Sequence, residues 1–356
     1  MKKAAILAQS PRDLTVEWAQ RVINQHDNEV RVSHVEVLNV DVGTTTRVKL
    51  AVEHDGASYL PKQWFVKMPS LAWKARVITA LPCLLHTEAR FYNEISPLVS
   101  LNLPHFLAAQ SAFGRGAILV LVDVKEFSGC AGHPADALNF NQAAEVVQHL
   151  AMFHAHFAHH QNLEQKYPWL ASSVRKVEDA LGSALAVPLM KRGLRRAGAV
   201  VPTELHHQAL GYAKHRRKMM TFLNDAPRTL IHHDCHPGNL FWRNNEVGFL
   251  DWQLVRLGEG VSDVAYFLAT ALEPQTRRAH EHDLLSLYIE TLKLHGVVDV
   301  DKENLLPRYR AHCVYAFEAM LLTLAVGGMM KLESNLELIH RAASAVQDLD
   351  SFSVLP

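Results

Sequence analysis

The amino-acid sequence predicts an α+β protein with a small N-terminal lobe built on an antiparallel sheet and a larger, mainly helical C-terminal lobe. Two patterns support this prediction. Short β-branched runs with partial alternation dominate the first third of the chain, whereas apolar residues after Phe140 recur mainly at helical spacing. With 356 residues, 49% of them hydrophobic, the chain is long and apolar enough to bury a large core in one or two domains.

The small lobe begins with three strand-like runs, Val35–Val42, Arg47–Glu53 and Gln63–Met68. Two turn-rich segments, 43–46 and 54–58, separate these runs. Short strands joined by such turns predict an antiparallel meander.

A helix and a buried strand are predicted to complete this lobe. Apolar residues at a spacing of three share one face of a helix over 87–99, and Pro104 lies beyond its end. The continuous apolar run Ala117–Val122 then stops at Asp123. That pattern is typical of a buried strand that leads into a linker.

The remainder of the chain is predicted to be mainly helical. Helical periodicity recurs near 141–160, 203–224, 262–272, 278–295, 302–331 and 335–349. Short strand-like pieces interrupt it near 229–232, 239–243 and 247–251. We therefore place the N-terminal lobe at 1–122, a hinge at 123–127 and the C-terminal lobe at 128–356.

The charge and cysteine content argue against several classes of function. Lysine plus arginine and aspartate plus glutamate each number 36, so the chain lacks the global positive field that attracts proteins to nucleic acid. The four cysteines form no Cys-x-x-Cys pair, which favours a reducing compartment over a disulfide framework or structural zinc. The N-terminal apolar run stops at Gln9, too soon for a secretion signal, and no apolar stretch approaches the ~20 residues that span a bilayer. We expect a cytoplasmic protein without a membrane span.

The most informative segment contains three polar residues at chemically useful intervals. Asp234 and Asn239 stand on either side of Pro237-Gly238, and Asp251 follows the next strand-like run. Phosphoryl transfer from ATP needs a carboxylate that orients and deprotonates the attacking hydroxyl, together with oxygen ligands that hold Mg²⁺ against the phosphates. Asp234 suits the first role, and Asn239 and Asp251 suit the second. The alternative is an Asx-rich turn, because Asp, Asn and Pro-Gly are ordinary turn residues.

This segment resembles the catalytic loop of the aminoglycoside phosphotransferase and choline kinase-like superfamily, especially its ecdysteroid kinase-like branch and bacterial relatives. The His-x-Asp-x-x-x-x-Asn pattern of that superfamily is matched by His232, Asp234 and Asn239, and its metal-binding Asp by Asp251 before Trp252. The resemblance implies a protein-kinase-like two-lobed fold. It also implies an enzyme that uses ATP and Mg²⁺ to phosphorylate a hydroxyl of a small molecule, with Asp234 as catalytic base.

Weaker matches in the small lobe agree with this resemblance. Phe65-Val-Lys-Met68 is similar to the strand whose lysine reaches the ATP phosphates, and Glu88 to the helix glutamate that pairs with it, although Glu94 lies on the same predicted helix. Residues 42–48 correspond to the phosphate-covering loop and 121–124 to the hinge that meets adenine. The implied nucleotide contacts are Gly43, Thr44, Thr45, Lys67, Glu88, Val122 and Val124.

Two departures from the family pattern affect these predictions. The loop at Gly43 has one glycine rather than the three of Gly-x-Gly-x-x-Gly, so threonine hydroxyls or non-glycine amides must bind the phosphates. A nucleotide donor other than ATP therefore stays open. His233 stands where many relatives place a glycine, and its side chain either narrows the site or points away.

Two other functions stay open. The side chains of His232, His233, Cys235 and His236 allow a metal-dependent hydrolase, although neighbouring residues on one short loop usually point in different directions. A nucleotide-binding pseudokinase is the non-enzymatic alternative, although the chain retains the lysine, base and metal-ligand residues. A protein substrate is not expected, because the sequence has no Asp-Phe-Gly followed by Ala-Pro-Glu.

The remaining polar features are interpreted as structural. His232 and His236 are expected to support the loop through hydrogen bonds, and Asp263, or else Ser262, to cap a helix. The basic clusters at 191–196 and 214–218 are expected to be solvated helix faces or, alternatively, to bind an anionic substrate group. Four residues of the last long helical stretches either line an acceptor pocket or belong to the core, Tyr309, Tyr315, Phe317 and Glu318.

Overall fold

The computed structural model describes residues 5–57, 60–72, 83–112, 114–160, 162–171 and 173–356. The last residue of the turn predicted at 54–58, Ser58, therefore lies outside the described residues. The chain forms two compact units. The first comprises Met1–Ala131 and Phe241–Leu254, and the second comprises Gly132–Leu240 and Val255–Pro356. The hinge at 123–127 stays a prediction of the sequence.

The first unit is built on a five-stranded antiparallel sheet with the spatial order β1-β2-β3-β5-β4. Its strands are β1 (Val32–Val42), β2 (Thr45–His54), β3 (Gln63–Pro69), β4 (Phe106–Ala112) and β5 (Gly116–Val122). The first three strands confirm the predicted meander. Strand β4 was not predicted, because its alanine-rich sequence contains no β-branched residue.

One face of this sheet packs against helix α1 (Val16–Ile23), where the rings of Trp18 and Trp64 meet edge to face at 6.2 Å. Side chains along a strand point alternately to its two faces. Trp64 and Val66 of β3 enter this core, so Lys67 projects from the opposite face. The alternation of β3 therefore directs a lysine towards helix α2 (Leu84–Arg90).

The chain after α2 departs from the single helix predicted over 87–99. A π-helical turn follows at Phe91–Ile95 and a 3₁₀ turn at Ser96–Leu98. Pro97 has no N–H to donate to the preceding turn, which ends regular α-helical hydrogen bonding. A small sheet, β6 (Cys130–Ala131), β8 (Leu240–Arg243) and β9 (Glu246–Phe249), completes this unit.

The second unit is mainly helical. Its helices are α3 (Phe140–Ala158), α4 (Leu163–Lys166), α5 (Ser173–Ala197), α6 (Thr203–Lys214), α7 (Arg216–Asn224), α8 (Val261–Ala271), α9 (Pro274–Leu294), α10 (Lys302–Val326) and α11 (Leu332–Asp348). Helix α8 is buried along its whole length and packs against α3, α10 and α11. Strands β7 (Thr229–Ile231) and β10 (Arg256–Gly258) pair antiparallel, and β7 packs against α3. This framework anchors the loop that carries Asp234.

Several helices differ from the sequence prediction, and the stretch predicted near 203–224 forms two helices, α6 and α7. Helix α5 was not predicted, because Pro188 interrupts its pattern and apolar residues such as Leu181 and Leu185 are exposed rather than buried. Helix α10 ends at Val326 rather than near 331. The next residue, Gly327, adopts a positive φ of 77° that ends the helix. Within the described ranges, no helix has both the length and the apolar composition needed to cross a bilayer.

Candidate active site

In the first unit, Lys67 lies between two carboxylates that are distant in sequence. Its Nζ donates to both oxygens of Glu88, at 2.8 and 3.0 Å, and lies 3.1 Å from Oδ1 of Asp251. Lys67 is 5% exposed and Glu88 1% exposed. Of the two glutamates considered as partners of Lys67, Glu88 makes the contact rather than Glu94.

Burial and charge act in opposite directions on this cluster. Burial lowers the pKa of Lys67, but the carboxylates of Asp251 and Glu88 outweigh it, so the pKa is raised and the ammonium stays protonated. Burial raises the pKa of Glu88 to about 7, with Asp251 adding to the rise and Lys67 opposing it. The cluster therefore holds one positive charge beside two carboxyl groups in a largely dry environment.

The backbone around Asp251 is held in an uncommon conformation. Asp251 has φ 60°, in the left-handed region that L-residues rarely occupy. The next residue, Trp252, donates its backbone N–H to Oε1 of Glu88 at 3.3 Å, and its ring stacks on Phe91 at 4.0 Å. These contacts fix the carboxylate of Asp251 next to Lys67.

The loop predicted to cover the phosphates is the turn between β1 and β2. The Gly43 N–H donates to the Thr45 carbonyl at 3.0 Å, and the Ser70 hydroxyl donates to the Gly43 carbonyl at 2.7 Å. Thr45 is buried, and Thr44 occupies the tip of the turn. The amide of Gly43 is thus used inside the turn, which leaves Thr44 as the better placed donor.

The segment predicted to meet adenine follows β5. The Val122 N–H donates to the His105 carbonyl at 2.9 Å, and the Val124 carbonyl accepts from the Gly129 N–H at 2.8 Å. Asp123 caps the 3₁₀ turn at 124–127 by accepting from the Lys125 N–H. An adenine contact at Val122 would therefore use its carbonyl, and one at Val124 would use its N–H.

In the second unit, two side chains fix the carboxylate of Asp234. Asn239 donates from Nδ2 to the main-chain oxygen of Asp234 at 2.9 Å and to its Oδ2 at 3.0 Å. Tyr266 donates its hydroxyl to Oδ1 at 2.8 Å. Burial first, and then the Asp234 carboxylate, raise the pKa of Tyr266 well above its ordinary range, so this hydroxyl keeps its proton.

The backbone of the same loop is held by Asp263. Its oxygens accept the N–H groups of His232 at 2.6 Å and His233 at 2.7 Å. The expectation that Asp263 or Ser262 caps a helix was wrong: Gly260 precedes helix α8, and no side chain caps it. Asp263 instead lies in the first turn of the helix, where its carboxylate reaches the loop.

A family model of the ecdysteroid kinase-like family matches residues 42–296. The chain belongs to the ecdysteroid kinase-like family. No curated protein matches the chain significantly. Among solved structures, a choline kinase from Cryptosporidium parvum is 11% identical, with a TM-score of 0.53 and coverage of 93% of this chain and 94% of that chain. A protein from Ralstonia eutropha assigned as an aminoglycoside phosphotransferase is 12% identical, with a TM-score of 0.51 and coverage of 95% and 98%. These similarities confirm the predicted α+β, protein-kinase-like two-lobed fold.

His233 adopts a backbone conformation that favours glycine. Its φ is 69°, a conformation that glycine adopts without strain. In this chain its ring stacks on Tyr315 at 4.5 Å and 19°. Both rings line a cavity of about 170 Å³ within the second unit, so His233 helps to shape a space beside the loop.

The histidines of the loop have the structural contacts expected of them. Nδ1 of His232 accepts from the Asp234 N–H at 3.3 Å, and Nδ1 of His236 accepts from the Gly238 N–H at 3.1 Å. Cys235 is buried, and burial raises its thiol pKa well above the ordinary value. Throughout the described part of the chain, no three His, Cys, Asp or Glu side chains converge in a metal-binding arrangement.

The donor chemistry of Asn239 and Asp251 suits Mg²⁺. Because Nδ2 of Asn239 bonds to Asp234, its Oδ1 is directed away from that carboxylate. Asp251 supplies a carboxylate whose side chain is 22% exposed. Amide and carboxylate oxygens are the ligands that Mg²⁺ prefers.

Sequence reasoning missed the role of Tyr266. Its signal is the spacing from Asp263: residues three apart share a helix face, so both can reach the same loop. Of the four residues considered for an acceptor pocket, only Tyr315 lines the cavity beside His233, whereas the others lie in the core, Tyr309, Phe317 and Glu318.

The two basic clusters are mostly exposed, as expected of solvated helix faces. Arg216 is the exception. It is buried, and its Nε donates to Oε1 of Glu318 at 2.6 Å. Glu318 also accepts the hydroxyl of Tyr212 at 2.8 Å, so Arg216 joins α7 to α10.

Proposed function

We propose that this protein transfers the γ-phosphoryl group of ATP to a hydroxyl group of a small molecule. The observation that carries the proposal is the buried cluster of Lys67, Glu88 and Asp251. A lysine is costly to bury, and a fold that encloses one beside two carboxylates from distant segments has a use for that charge. Binding the phosphates of a nucleotide is the use that membership of the ecdysteroid kinase-like family supports.

In this proposal the residues of the first unit bind the nucleotide. Lys67, positioned by Glu88, orients the α- and β-phosphates. The Gly43–Thr45 turn covers the phosphates, chiefly through the amide and hydroxyl of Thr44. Backbone groups of Val122 and Val124 recognise the base.

The residues of the second unit act on the acceptor. The Asp234 carboxylate accepts the proton of the acceptor hydroxyl as its oxygen forms a bond to the γ-phosphorus and the bond to the β–γ bridging oxygen breaks. ADP is the leaving group. Tyr266 and Asn239 hold the carboxylate in one orientation, and Asp263 holds the loop, so the acceptor meets a pre-set base.

Asn239 and Asp251 are the proposed Mg²⁺ ligands. Bound Mg²⁺ would neutralise negative charge on the phosphates as the γ-phosphoryl group transfers. Asp251 lies 3.1 Å from Lys67 within the first unit, which supports a role for both residues near the phosphates. This arrangement supports ATP as donor despite the single glycine of the loop at Gly43.

The class of acceptor follows from the family and fold. The structural neighbours named above are a choline kinase and a protein assigned as an aminoglycoside phosphotransferase, and each is named after a small-molecule acceptor. We extend this to a small hydroxylated acceptor for the present chain. The cavity beside His233 and Tyr315 is a candidate for part of its site.

A coupled ADP-release screen tests the proposal. The purified protein is incubated with MgATP and hydroxylated metabolites, including amino alcohols, steroids, aminoglycosides and hydroxyacyl thioesters. At least one acceptor should raise ADP release above the background rate, and Asp234→Asn should abolish the increase. Asp283→Asn, a matched change at an exposed site, should have no effect. ATP binding without turnover under any condition would instead support the pseudokinase.

A further inference from the structure

The second unit contains another cavity, of about 430 Å³, which we call the rear cavity. It lies among the end of α3, the 225–229 loop, the start of α8, and parts of α9 and α10. Most of its wall is apolar, with Ala158, Val261, Leu292, Val297 and Leu305 among the lining residues. Its volume is within the range of small-molecule sites.

The rear cavity is separate from the loop residues that carry the proposed chemistry. Asp234, Asn239 and Tyr266 are not among its lining residues, and neither are His233 and Tyr315 of the smaller cavity, although Glu259 lines both cavities. A ligand in the rear cavity would therefore not occupy the place proposed for the acceptor.

A chain of hydrogen bonds nevertheless leads from its wall to the loop. The hydroxyl of Tyr288 lies 2.9 Å from Nδ1 of His154, and Nε2 of His154 lies 3.1 Å from Oδ2 of Asp263. Burial first, and then Asp263, raise the pKa of Tyr288 well above its ordinary range, so its hydroxyl keeps a hydrogen that it can donate. The carboxylate of Asp263 can only accept, so the hydrogen of the neutral His154 ring lies on Nε2. Nδ1 then accepts, and the Nε2 hydrogen of His154 is donated to Asp263. Asp263 in turn holds the N–H groups of His232 and His233.

At the Tyr288–His154 hydrogen bond, the wall of the rear cavity is formed by a glycine. Gly260 lines the cavity, and a Cβ added there would lie 2.5 Å from the Tyr288 hydroxyl oxygen and 2.9 Å from Nδ1 of His154. Only glycine allows the backbone to approach this hydrogen bond so closely. A ligand that displaces the 259–261 backbone would therefore press directly on the Tyr288–His154 pair.

The charge around the rear cavity selects the ligand class. Its lining has four acidic side chains, Asp225, Glu259, Asp299 and Asp301, and two arginines, Arg228 and Arg308. Arg308 pairs with Glu259 at 2.7 Å, while Arg228 pairs at 2.8 Å with Glu164, which is outside the lining. Asp301 caps α10 by accepting from Asn304 and lies within the influence of Lys293. Among the described residues, Asp225 and Asp299 are thus the lining carboxylates with no ion pair to a cation of the lining. Apolar walls with an excess of carboxylates favour an amphiphilic cation.

We propose that the rear cavity is a regulatory site for a small amphiphilic ammonium compound, and that its occupancy acts on the Asp234 loop through Tyr288, His154 and Asp263. The apolar part of the ligand packs against the aliphatic wall, and the ammonium group lies near the aspartates. Binding changes how firmly Asp263 holds the loop amides. This site is additional to the proposed acceptor site and does not require the chain to be an active kinase.

The binding test uses octyltrimethylammonium as the probe and octanoate as its anionic counterpart, with calorimetry and thermal unfolding as readouts. The cation should bind saturably and raise the unfolding temperature, and octanoate should not. Val297→Trp, which fills the cavity, should weaken binding at least about tenfold. Val298→Trp, a neighbouring change at a side chain that is 66% exposed and outside the lining, should leave binding unchanged.

Equal binding of the two probes, or equal affinity in the Val297→Trp and Val298→Trp variants, would overturn the proposed site. If the cation bound at the acceptor site instead, Val297→Trp would not weaken its binding, and the two tryptophan variants would have equal affinity. None of these readouts depends on phosphoryl transfer. Failure of the rear cavity is therefore distinguishable from failure of the proposed kinase activity.

The coupling test follows amide hydrogen exchange in the 230–240 segment. Octyltrimethylammonium should change exchange of the His232 and His233 amides in the wild type, because Asp263 accepts both. Tyr288→Phe keeps the ring but removes the first hydrogen bond of the chain, so it should retain cation binding within about threefold and lose most of the exchange response. Unchanged exchange in the wild type, or an equal response in Tyr288→Phe, would contradict the coupling.

Discussion

Replacement of Lys67 by methionine tests whether its positive charge offsets the buried carboxylates of Glu88 and Asp251, as the geometry indicates. The variant keeps the length and most of the volume of the side chain but removes the ammonium group that donates to both oxygens of Glu88. Glu88, which is 1% exposed, then remains beside Asp251 without its cation. Breaking a buried ion pair in this way costs about 3–5 kcal/mol, a large fraction of a typical 5–15 kcal/mol stability.

The cost should depend on pH in a defined direction. In the wild type the pKa of Glu88 is about 7, raised above its ordinary 4.5, and loss of Lys67 removes the effect that opposes the rise. Between 4.5 and the folded-state pKa, the folded variant binds more protons than the unfolded chain. Its stability therefore falls as pH rises through that interval, by about 1.4 kcal/mol per pH unit at most. Lys67→Met should be more strongly destabilised relative to wild type at pH 8.5 than at pH 6.

Urea unfolding followed by tryptophan fluorescence at the two pH values measures this effect. Lys67→Met/Glu88→Gln should recover most of the stability at pH 8.5, because it removes the buried negative charge but keeps an acceptor for the Trp252 amide. Arg47→Met is the matched control. Arg47 faces Lys67 across the β2–β3 register, and its ion pair with Asp41 is exposed, so its loss should cost no more than about 1 kcal/mol. A similar small cost for Lys67→Met, or one independent of pH, would refute the reasoning.

Three further predictions concern the second unit and the metal. Tyr266→Phe should lower kcat about 10- to 100-fold with little change in the KM for ATP, because it removes a hydrogen bond of about 1.5–3 kcal/mol to the Asp234 carboxylate; an equal loss in ATP affinity would contradict this positioning role. Burial raises the pKa of Glu259, but the hydrogen bonds and charges of His312 and Arg308 outweigh burial, so the pKa lies below its ordinary 4.5. The contribution of Glu259 to stability is therefore complete above pH 4.5 and is lost as pH falls through the folded-state pKa. Urea unfolding should accordingly show a smaller acid-dependent loss of stability in Glu259→Gln than in wild type, and identical profiles would count against this ion pair. Chelation of Mg²⁺ should abolish ADP release, and Asn239→Ala should raise the Mg²⁺ concentration for half-maximal rate at least about tenfold; an unchanged Mg²⁺ dependence would exclude Asn239 as a ligand.

The parts of the site that follow local sequence rules were predictable. Alternation along a strand puts Lys67 on the face opposite Trp64 and Val66, and a buried lysine needs a carboxylate partner. The five-residue interval between Asp234 and Asn239 also allowed the two side chains to be grouped before their contact was known. These relations depend on short-range geometry or on one strong physical requirement.

Other features depend on tertiary contacts that no local pattern specifies. Asp263 has the residue type and position of a helix cap, yet its carboxylate accepts two loop amides about 30 residues away in sequence. In the sequence, Tyr266 has the pattern of an ordinary core residue of a hydrophobic helix. Only the tertiary structure shows that its hydroxyl donates to Asp234. Helix α5 was missed because Pro188 and its exposed leucines obscure the amphipathic period on which sequence analysis relies.

The central claim is that Asp234 serves phosphoryl transfer rather than only the structure of a loop. A ³¹P NMR time course of MgATP with the wild type and with Asp234→Asn, at ATP concentrations that saturate both proteins, tests it most directly. The wild type should convert ATP to ADP with phosphate transferred to an acceptor or to water, and Asp234→Asn should bind ATP with similar affinity but turn it over about 10²–10⁴-fold more slowly. Equal turnover by the two proteins would contradict the assignment of Asp234 as the base.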